Sequence, residues 1–181
     1  FPTRRSSDLA GLIQALIIIG LAIPNIMIVM PLFSIVSALN LSGTHFTLIF
    51  LYTACSVPYT TFFLLTFFKG ISTSFEEAAA IDGCGPIQCF WKIMFPLAQP
   101  AIVTVSIFNF IGKWNEYFMA LIFANKSNLR PIGVGLYQTV TSMMNSGDWA
   151  GMFASVVIVF IPTVVIYAFL SDKIISGVTA G

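Results

Sequence analysis

The feature that most constrains this chain is a long apolar tract without charge. Leu9 to Phe68 contains no Asp, Glu, Lys or Arg. A transmembrane helix needs about 20 predominantly apolar residues, so this tract has room for two spans with a turn between them. Helix-breaking residues cluster at 40–44 (NLSGT), which predicts the position of that turn. The tract predicts an all-α membrane protein.

The composition of the whole chain excludes several other classes. Hydrophobic residues make up 57% of the sequence and charged residues 8%, which is far from the composition of an ordinary soluble domain. The net charge of +1 comes without a basic patch, so we expect no nucleic acid partner. Cys55, Cys84 and Cys89 fit no zinc or disulfide spacing, and we predict no metal site.

Four membrane spans are predicted, at about residues 10–33, 46–68, 98–124 and 149–170. Residues 70–97 form the most strongly charged connection between them, and residues 125–148 are read as a polar loop on the opposite side. If residues 70–97 lie inside the cell, both ends of the chain lie inside as well. The basic residues on the inner side are then Arg4, Arg5, Lys69, Lys92 and Lys173, and those outside are Lys126 and Arg130. Five against two agrees with the positive-inside rule.

The first residues, FPTRRSSD, match nothing that follows, and the polar tract changes abruptly into an apolar run. We interpret residues 1–9 as a leader or fragment boundary outside the functional domain, which we assign to 10–181. A signal peptide is the alternative, but the apolar run is too long and Pro24-Asn25 stands where a small-residue cleavage site is expected.

The charged connection contains the strongest helix punctuation in the sequence, EEAAAIDGCGPIQCFWKIMFP at 76–96. Thr73 or Ser74 could open a capping box with Glu76 or Glu77. Gly83 predicts the end of that helix because glycine adopts the left-handed conformation at little cost. Gly85-Pro86 predicts the start of a second segment, and Pro96 its end.

The first of these segments is too short to be stable alone. A helix of about eight residues is roughly 12 Å long and marginal in water. Two interpretations remain open from the residues themselves: a solvated connecting loop, or a helix that docks into a partner protein.

The same stretch resembles the EAA loop of inner-membrane permease subunits of binding-protein-dependent ABC importers. That family's pattern is Glu-Ala-Ala, three residues, Gly, nine residues, Ile, one residue and Leu-Pro. The chain has these residue types at these spacings, with Phe95 in place of leucine: Glu77-Ala78-Ala79, Gly83, Ile93 and Pro96, and the Asp82-Gly83 pair also matches.

Other stretches resemble the carbohydrate-importing branch of this family, and the maltose-type "G" permease in particular. They are PLFSIVSALNLSGTHFTLIF from Pro31, PLAQPAIVTVSIFNFIGKWNEYFMAL from Pro96, LRPIGVGL from Leu129 and SGVTAG from Ser176. Arg130 and Ile132 depart from the branch's usual residues. The resemblance implies a type I ABC importer transmembrane domain, of which the chain carries the last four of six spans and lacks a few terminal residues.

The resemblance also implies what the loop does. The loop helix docks into a cytoplasmic ATPase subunit, with Glu77 facing a basic group and Ala78 and Ala79 allowing close approach. Gly83 makes the turn after Asp82, while Ile93 and Pro96 fix the second segment. A structural role for Glu77 remains open, since a carboxylate also complements the helix dipole at a helix start.

The third predicted span alone carries charges inside, at Lys113-Trp114-Asn115-Glu116. Buried charges in membranes cost about 2.5 to 3.5 kcal/mol on insertion scales and usually face a cavity or partner. These four residues are candidates for the translocation path, where an aromatic face and polar groups suit a sugar. The alternative is an internal Lys113–Glu116 pair that stabilises helix packing, since the two residues lie on one helix face.

By resemblance, the protein is a multi-pass subunit of the bacterial inner membrane that imports a sugar or oligosaccharide. Its implied partners are the lipid bilayer, a second permease subunit, two ATPase subunits and an extracytoplasmic solute-binding protein that meets the 125–148 loop. The tail at 177–181 is expected to reach the ATPase. The chain itself needs no cofactor, because ATP is bound by the partner.

Three other functions fit the sequence less well. The same machinery could carry another solute, such as a glycerol phosphate. An ion-coupled secondary transporter would need paired carboxylates or histidine relays in the spans, and Glu116 is the one candidate carboxylate there. An intramembrane hydrolase would need an HExxH motif or a Ser/Lys or Asp/Asp pair within the spans, and the sequence contains no HExxH motif and no convincing pair of either kind. The sequence also contains no phosphate-binding G-x-x-x-x-G-K-[ST] loop, so we expect ATP to be hydrolysed by a partner.

Overall fold

The computed structural model describes the backbone of residues 8–124 and 126–179, and the side chains of 10–124 and 126–169. All regular secondary structure in these ranges is helical. The predicted leader at 1–9 and the predicted tail at 177–181 lie outside the described side chains.

The helices follow one another along the chain with short connections. They are α1 (Asp8–Ala22), α2 (Asn25–Ala38), α3 (His45–Gly70), α4 (Ser74–Ile81), α5 (Pro86–Cys89), a π-helical turn (Phe90–Met94), α6 (Phe95–Leu97), α7 (Gln99–Trp114), α8 (Phe118–Phe123), a 3-10 turn (Ser127–Leu129), α9 (Ile132–Ser146) and α10 (Trp149–Thr179).

Within the described residues, two helices are long and apolar enough to cross a bilayer, His45–Gly70 and Trp149–Phe169. Up to four spans result if two bent pairs each count as one: Ala10–Ala22 with Asn25–Ala38, and Pro86–Leu97 with Gln99–Trp114. Such breaks are tolerated in membranes where neighbouring groups satisfy the freed backbone.

Two of the predicted spans are each divided into two helices in the structure. The segment predicted at 10–33 is interrupted at Ile23–Pro24, because proline cannot donate the helical hydrogen bond. The segment predicted at 98–124 is interrupted between Trp114 and Phe118. Helix α7 begins at Gln99, next to the predicted start of this span at about residue 98. Pro86–Leu97, which is bent from α7 by 65°, is the second segment predicted within the charged connection.

The predicted polar loop at 125–148 contains a 15-residue helix, α9. Its glycines suggested a loop, but Pro131 stands as the residue before the first turn, where its missing N–H costs nothing. Gly147 closes the helix in the left-handed conformation (φ +75°). Asp148 then opens α10, its carboxylate accepting a hydrogen bond from the Gly151 amide at 2.9 Å.

The described residues divide into two compact units. The first contains 8–22, 57–108 and 172–179. Its core holds Phe67, Ala98 and Ala101, with Phe63, Leu64, Phe68, Ile71 and Ile102 packed around them. The two alanines are fully buried, so α7 begins at a point where small side chains permit close packing.

The second unit contains 23–56 and 109–171. Its core joins residues of α2, α3, α8 and α9 around the fully buried Ala120. Phe123, with 2% of its surface exposed, and Val134, with 1%, are the largest of its fully buried side chains. The short helix α8 is therefore held by packing on several sides, since six residues would not form a helix alone.

Candidate coupling and translocation sites

Helix α4 begins without the predicted capping box. Thr73 has helical backbone angles (φ −62°, ψ −19°), and no side chain caps the helix from that position. Ser72 serves instead: its hydroxyl accepts from the Ser74 amide at 3.3 Å, and its carbonyl accepts from the Phe75 amide at 3.3 Å. The side chain that accepts at this end is thus Ser72, one residue before Thr73, while the helix itself begins at Ser74.

The end of α4 is formed as predicted by Gly83, which has a φ of +77°. The Cys84 amide donates to the Ala79 carbonyl at 2.9 Å, and the Gly83 amide to the Ala80 carbonyl at 3.1 Å. This pair of bonds is a Schellman motif, which satisfies carbonyls left over at the end of a helix. Space around Gly83 is open, so the backbone angle alone favours glycine here.

The second segment begins at Gly85-Pro86 as predicted, with Pro86 in the first turn. It ends at Leu97, one residue after the predicted end at Pro96. The chain passes through a π-helical turn at Phe90–Met94 and continues to Leu97, and the bend of 65° separates Pro86–Leu97 from Gln99–Trp114. The Phe95 amide bonds back to the Phe90 carbonyl, a wider turn that makes room for the Pro96 ring.

The two segments pack on each other through a small apolar cluster. Its buried members are Ala79, Cys89 and Met94, and Phe68, Ile71, Cys84 and Ile93 contact them. Ala79 is 2% exposed, so its small side chain allows close approach within this loop. Ile93 fixes the second segment in the same cluster.

The opposite side of α4 and α5 is exposed. The exposed residues of the motif are Glu77, Ala78, Asp82, Gly83 and Pro96. Three large apolar side chains not predicted as site residues are exposed beside them: Ile81 (86%), Ile87 (78%) and Trp91 (60%). Ile87 and Trp91 line a shallow groove together with Gly85, Pro86, Gln88 and Lys92. We call Glu77, Ala78, Ile81, Ile87 and Trp91 the loop surface.

The four charged and polar residues predicted for the translocation path lie at the break between α7 and α8. The Glu116 carboxylate accepts hydrogen bonds at this break from both α8 and α3. Its carboxylate accepts from the Met119 amide at 2.6 Å and from the Ala120 amide at 3.2 Å, so it caps the first turn of α8. It also accepts a hydrogen bond of 2.6 Å from the Tyr52 hydroxyl.

Lys113 lies on the same tyrosine. Its ammonium is 5.1 Å from the centroid of the Tyr52 ring, within the range of a cation–π contact. In the described part of the chain, the two charges are thus joined through Tyr52, and the Lys113–Glu116 pair left open by the sequence takes this indirect form.

Trp114 and Asn115 have different environments. The Trp114 indole N–H donates to the Val159 carbonyl at 3.3 Å, and its ring stacks on Phe110 at 5.7 Å between centroids. Asn115 is exposed, and its side-chain amide donates to the Ile111 carbonyl at 2.9 Å. Of the four residues, Asn115 is exposed, whereas Lys113, Trp114 and Glu116 are each half-buried.

Sequence reasoning missed Tyr52 and Ile81, although each gave a signal. A tyrosine in an uncharged apolar tract needs a partner for its hydroxyl, but the sequence does not say that the partner is a carboxylate 64 positions away. Ile81 is four residues after Glu77, which puts both on one face of α4.

Comparison with known proteins identifies the family. Residues 3–179 match the model of the binding-protein-dependent transport system inner membrane component. The sulfoquinovosyl glycerol transport system permease protein SmoH of Agrobacterium fabrum is 36% identical over 94% of this chain and 59% of its own length. The diacetylchitobiose uptake permease NgcG of Streptomyces coelicolor is 31% identical over 100% of this chain and 58% of its own.

A further relative and a solved structure point to the same family. The trehalose/maltose permease MalG of Thermococcus litoralis is 32% identical over 94% of the chain and 61% of its own length. A crystal structure of a bacterial ABC transporter involved in the import of the acidic polysaccharide alginate superposes with a TM-score of 0.73 at 26% identity, over 95% of this chain and 63% of that chain.

The chain spans about three fifths of the length of these relatives. The family's description confirms the predicted location in the inner membrane and the prediction of a transport subunit rather than an enzyme. The structural match confirms the predicted type I ABC importer fold. The chain belongs to the family of binding-protein-dependent transport system inner membrane components.

Proposed function

We propose that the protein is the membrane-spanning permease subunit of an ATP-driven importer for a sugar or oligosaccharide. An extracytoplasmic binding protein delivers the solute, a second permease subunit completes the path, and two cytoplasmic ATPase subunits bind and hydrolyse ATP. The sugar class is supported by relatives whose names give sulfoquinovosyl glycerol, diacetylchitobiose and trehalose/maltose as solutes.

The observation that carries the proposal is the loop surface. Ile81, Ile87 and Trp91 are each more than half exposed on a loop whose two segments are fixed by their own apolar cluster. Exposed aromatic and aliphatic side chains on a preformed element are typical anchors of a protein interface. Glu77 adds a carboxylate that suits an arginine of the ATPase.

The break between α7 and α8 is the proposed segment of the translocation path. Asn115 offers an exposed amide and Trp114 an aromatic ring, groups that suit the hydroxyls and the apolar face of a sugar. Lys113 and Glu116 support this segment through Tyr52 and through the capping of α8.

The test of the coupling role is a charge reversal at Glu77. In the importer assembled with its partners, Glu77→Arg should abolish co-purification of the ATPase subunits, because a like charge replaces the carboxylate opposite their basic group. The second permease should still co-purify, since the cluster around Ala79 does not involve Glu77.

Lys126→Glu is the matched control, because it reverses the charge of another exposed residue outside the loop surface. ATPase recovery should be unchanged in this control. Normal ATPase recovery with Glu77→Arg would remove Glu77 from the coupling role.

A further inference from the structure

Glu116 is held from two directions at the break between α7 and α8. Its carboxylate is bound by the Tyr52 hydroxyl of α3, as described above. Its backbone carbonyl lies against the first turn of α9, where a Cβ added at Gly133 would be 2.7 Å from the Glu116 oxygen and 3.3 Å from the Tyr117 Cβ. Only glycine allows this approach without a shift of one of the two backbones.

A second contact joins the same two segments. The rings of Tyr117, which follows Glu116, and Tyr137, one turn after Gly133, stack with centroids 5.7 Å apart and planes 23° apart. Val134, between them on α9, is 1% exposed. The first half of α9 is therefore packed against the break between α7 and α8, and we call it the seated half.

The second half of α9 is exposed over most of its surface, and we call it the free half. Met143 is half-buried, with its side chain close to Gly151 at the start of α10. Met144 is 51% exposed, and the polar residues around it are exposed too: Thr141, Ser142, Asn145, Ser146 and Asp148. This mainly polar surface suits water or a water-soluble protein better than lipid. Because the two halves form one continuous helix of 15 residues, we expect a displacement of the free half to move the seated half against Glu116.

We propose that Gly133 and Tyr52 are positioning residues of the transport cycle, which hold the helix break at Glu116 and pass to it the engagement of α9 by the solute-binding protein. This inference rests on the proposed function. It assigns the break two roles: presenting Asn115 and Trp114 to the solute, and receiving the signal that a loaded binding protein has docked.

The test compares two glycines of α9. Gly133→Ala introduces the overlap with Glu116, whereas Gly135→Ala adds the same methyl group where no atom lies within 4 Å. Both gain helix propensity equally. The measurement is ATP hydrolysis by the assembled importer in lipid nanodiscs, titrated with its sugar-loaded binding protein.

With Gly133→Ala, the maximal stimulation should fall by about fivefold or more, the lower end of typical coupling between sites. The binding-protein concentration at half-stimulation should stay the same, because the free half of α9 is unaltered. Gly135→Ala should behave like the unaltered importer. A purely structural defect would lower the yield of assembled complex instead of this stimulation ratio.

Two further pairs keep the inference testable if Gly133→Ala does not assemble. Tyr137→Ala removes the stacked ring and should lower the maximal stimulation, while Tyr137→Phe keeps the ring and should restore the stimulation.

Tyr52→Phe removes the hydroxyl that binds Glu116 but keeps the ring beneath Lys113, and it should also lower the maximal stimulation. Tyr59→Phe removes a hydroxyl elsewhere on α3 and should not.

Two adverse results are distinguishable. Equal stimulation in Gly133→Ala, Tyr137→Ala, Tyr52→Phe and their controls would overturn the inference while leaving the importer function intact. Absence of any stimulation in the unaltered, fully assembled importer would overturn the proposed function itself.

Discussion

At the scale of single residues, Gly83 shows how a backbone angle alone can select a residue type. Its φ of +77° lies in the left-handed region, yet the space around it is open. A side chain would therefore meet strain in the main chain and no steric overlap. The Schellman bonds that follow fix the end of α4 and, with it, the direction of the loop surface.

Gly83→Ala should destabilise the loop locally by about 1 kcal/mol, because a Cβ is unfavourable in the left-handed conformation. Gly83→Asn should cost less, since asparagine visits that conformation more readily. Hydrogen exchange of the Cys84 amide, which is bonded to Ala79, measures the difference. Equal protection in the two variants would contradict this account of the turn.

Single residues also show what sequence reasoning could predict. The roles of Gly83 and Pro86 follow from local backbone rules, and both were predicted. The partner of Glu116 was not, because the Tyr52 contact spans 64 positions and depends on how α3 packs beside the break. Nothing in the local sequence distinguishes that tyrosine from Tyr59.

At the scale of elements, some helix ends were predicted correctly from local sequence signals and others were not. Local signals gave the end of α4 and the start of α5, but packing overrode them elsewhere. A π-helical turn accommodates the Pro96 ring, so the segment ends one residue after the proline, at Leu97. The glycines near the start of α9 suggested a loop, yet Gly133 is there for close contact with Glu116.

The start of α10 provides a test at this scale. Asp148→Ala should weaken the first turn of α10 by about 1 kcal/mol, because it removes the acceptor of the Gly151 amide. Asp148→Ser should retain most of the protection, since serine caps helices almost as well. Asn145→Ala, an exposed neighbour, is the control.

Hydrogen exchange at Gly151 measures this cap directly. Rapid exchange in Asp148→Ala alone is the expected pattern. If Asp148→Ser exchanged as fast as Asp148→Ala, the cap would not be the reason for the stability of that turn.

At the scale of the whole molecule, the proposed orientation puts the loop surface in the cytoplasm and the free half of α9 outside. Asn145 and the residues around it are then available to an extracytoplasmic protein. The distribution of basic residues agrees with this orientation: five lie in the inner segments and two in the outer loop, and the inner excess remains, three against two, without Arg4 and Arg5.

Cysteine labelling tests the orientation. Cys84 is half-buried, so part of its thiol can be reached by a reagent. With Cys84 as the single cysteine, an impermeant maleimide should react in inside-out vesicles and not in intact cells, because the proposed orientation puts the loop in the cytoplasm. A single cysteine introduced by Asn145→Cys should show the opposite pattern. Labelling of Cys84 from outside would overturn the topology.

A permease subunit that works with a separate ATPase should be recovered together with it. We would therefore purify the protein from its native membranes and identify its partners by mass spectrometry. We expect a second permease subunit and a soluble ATPase, whose ATP hydrolysis rises when sugar-loaded binding protein is added. Recovery of this protein alone, under conditions that keep a known importer intact, would rule out the proposed importer and favour a self-contained carrier.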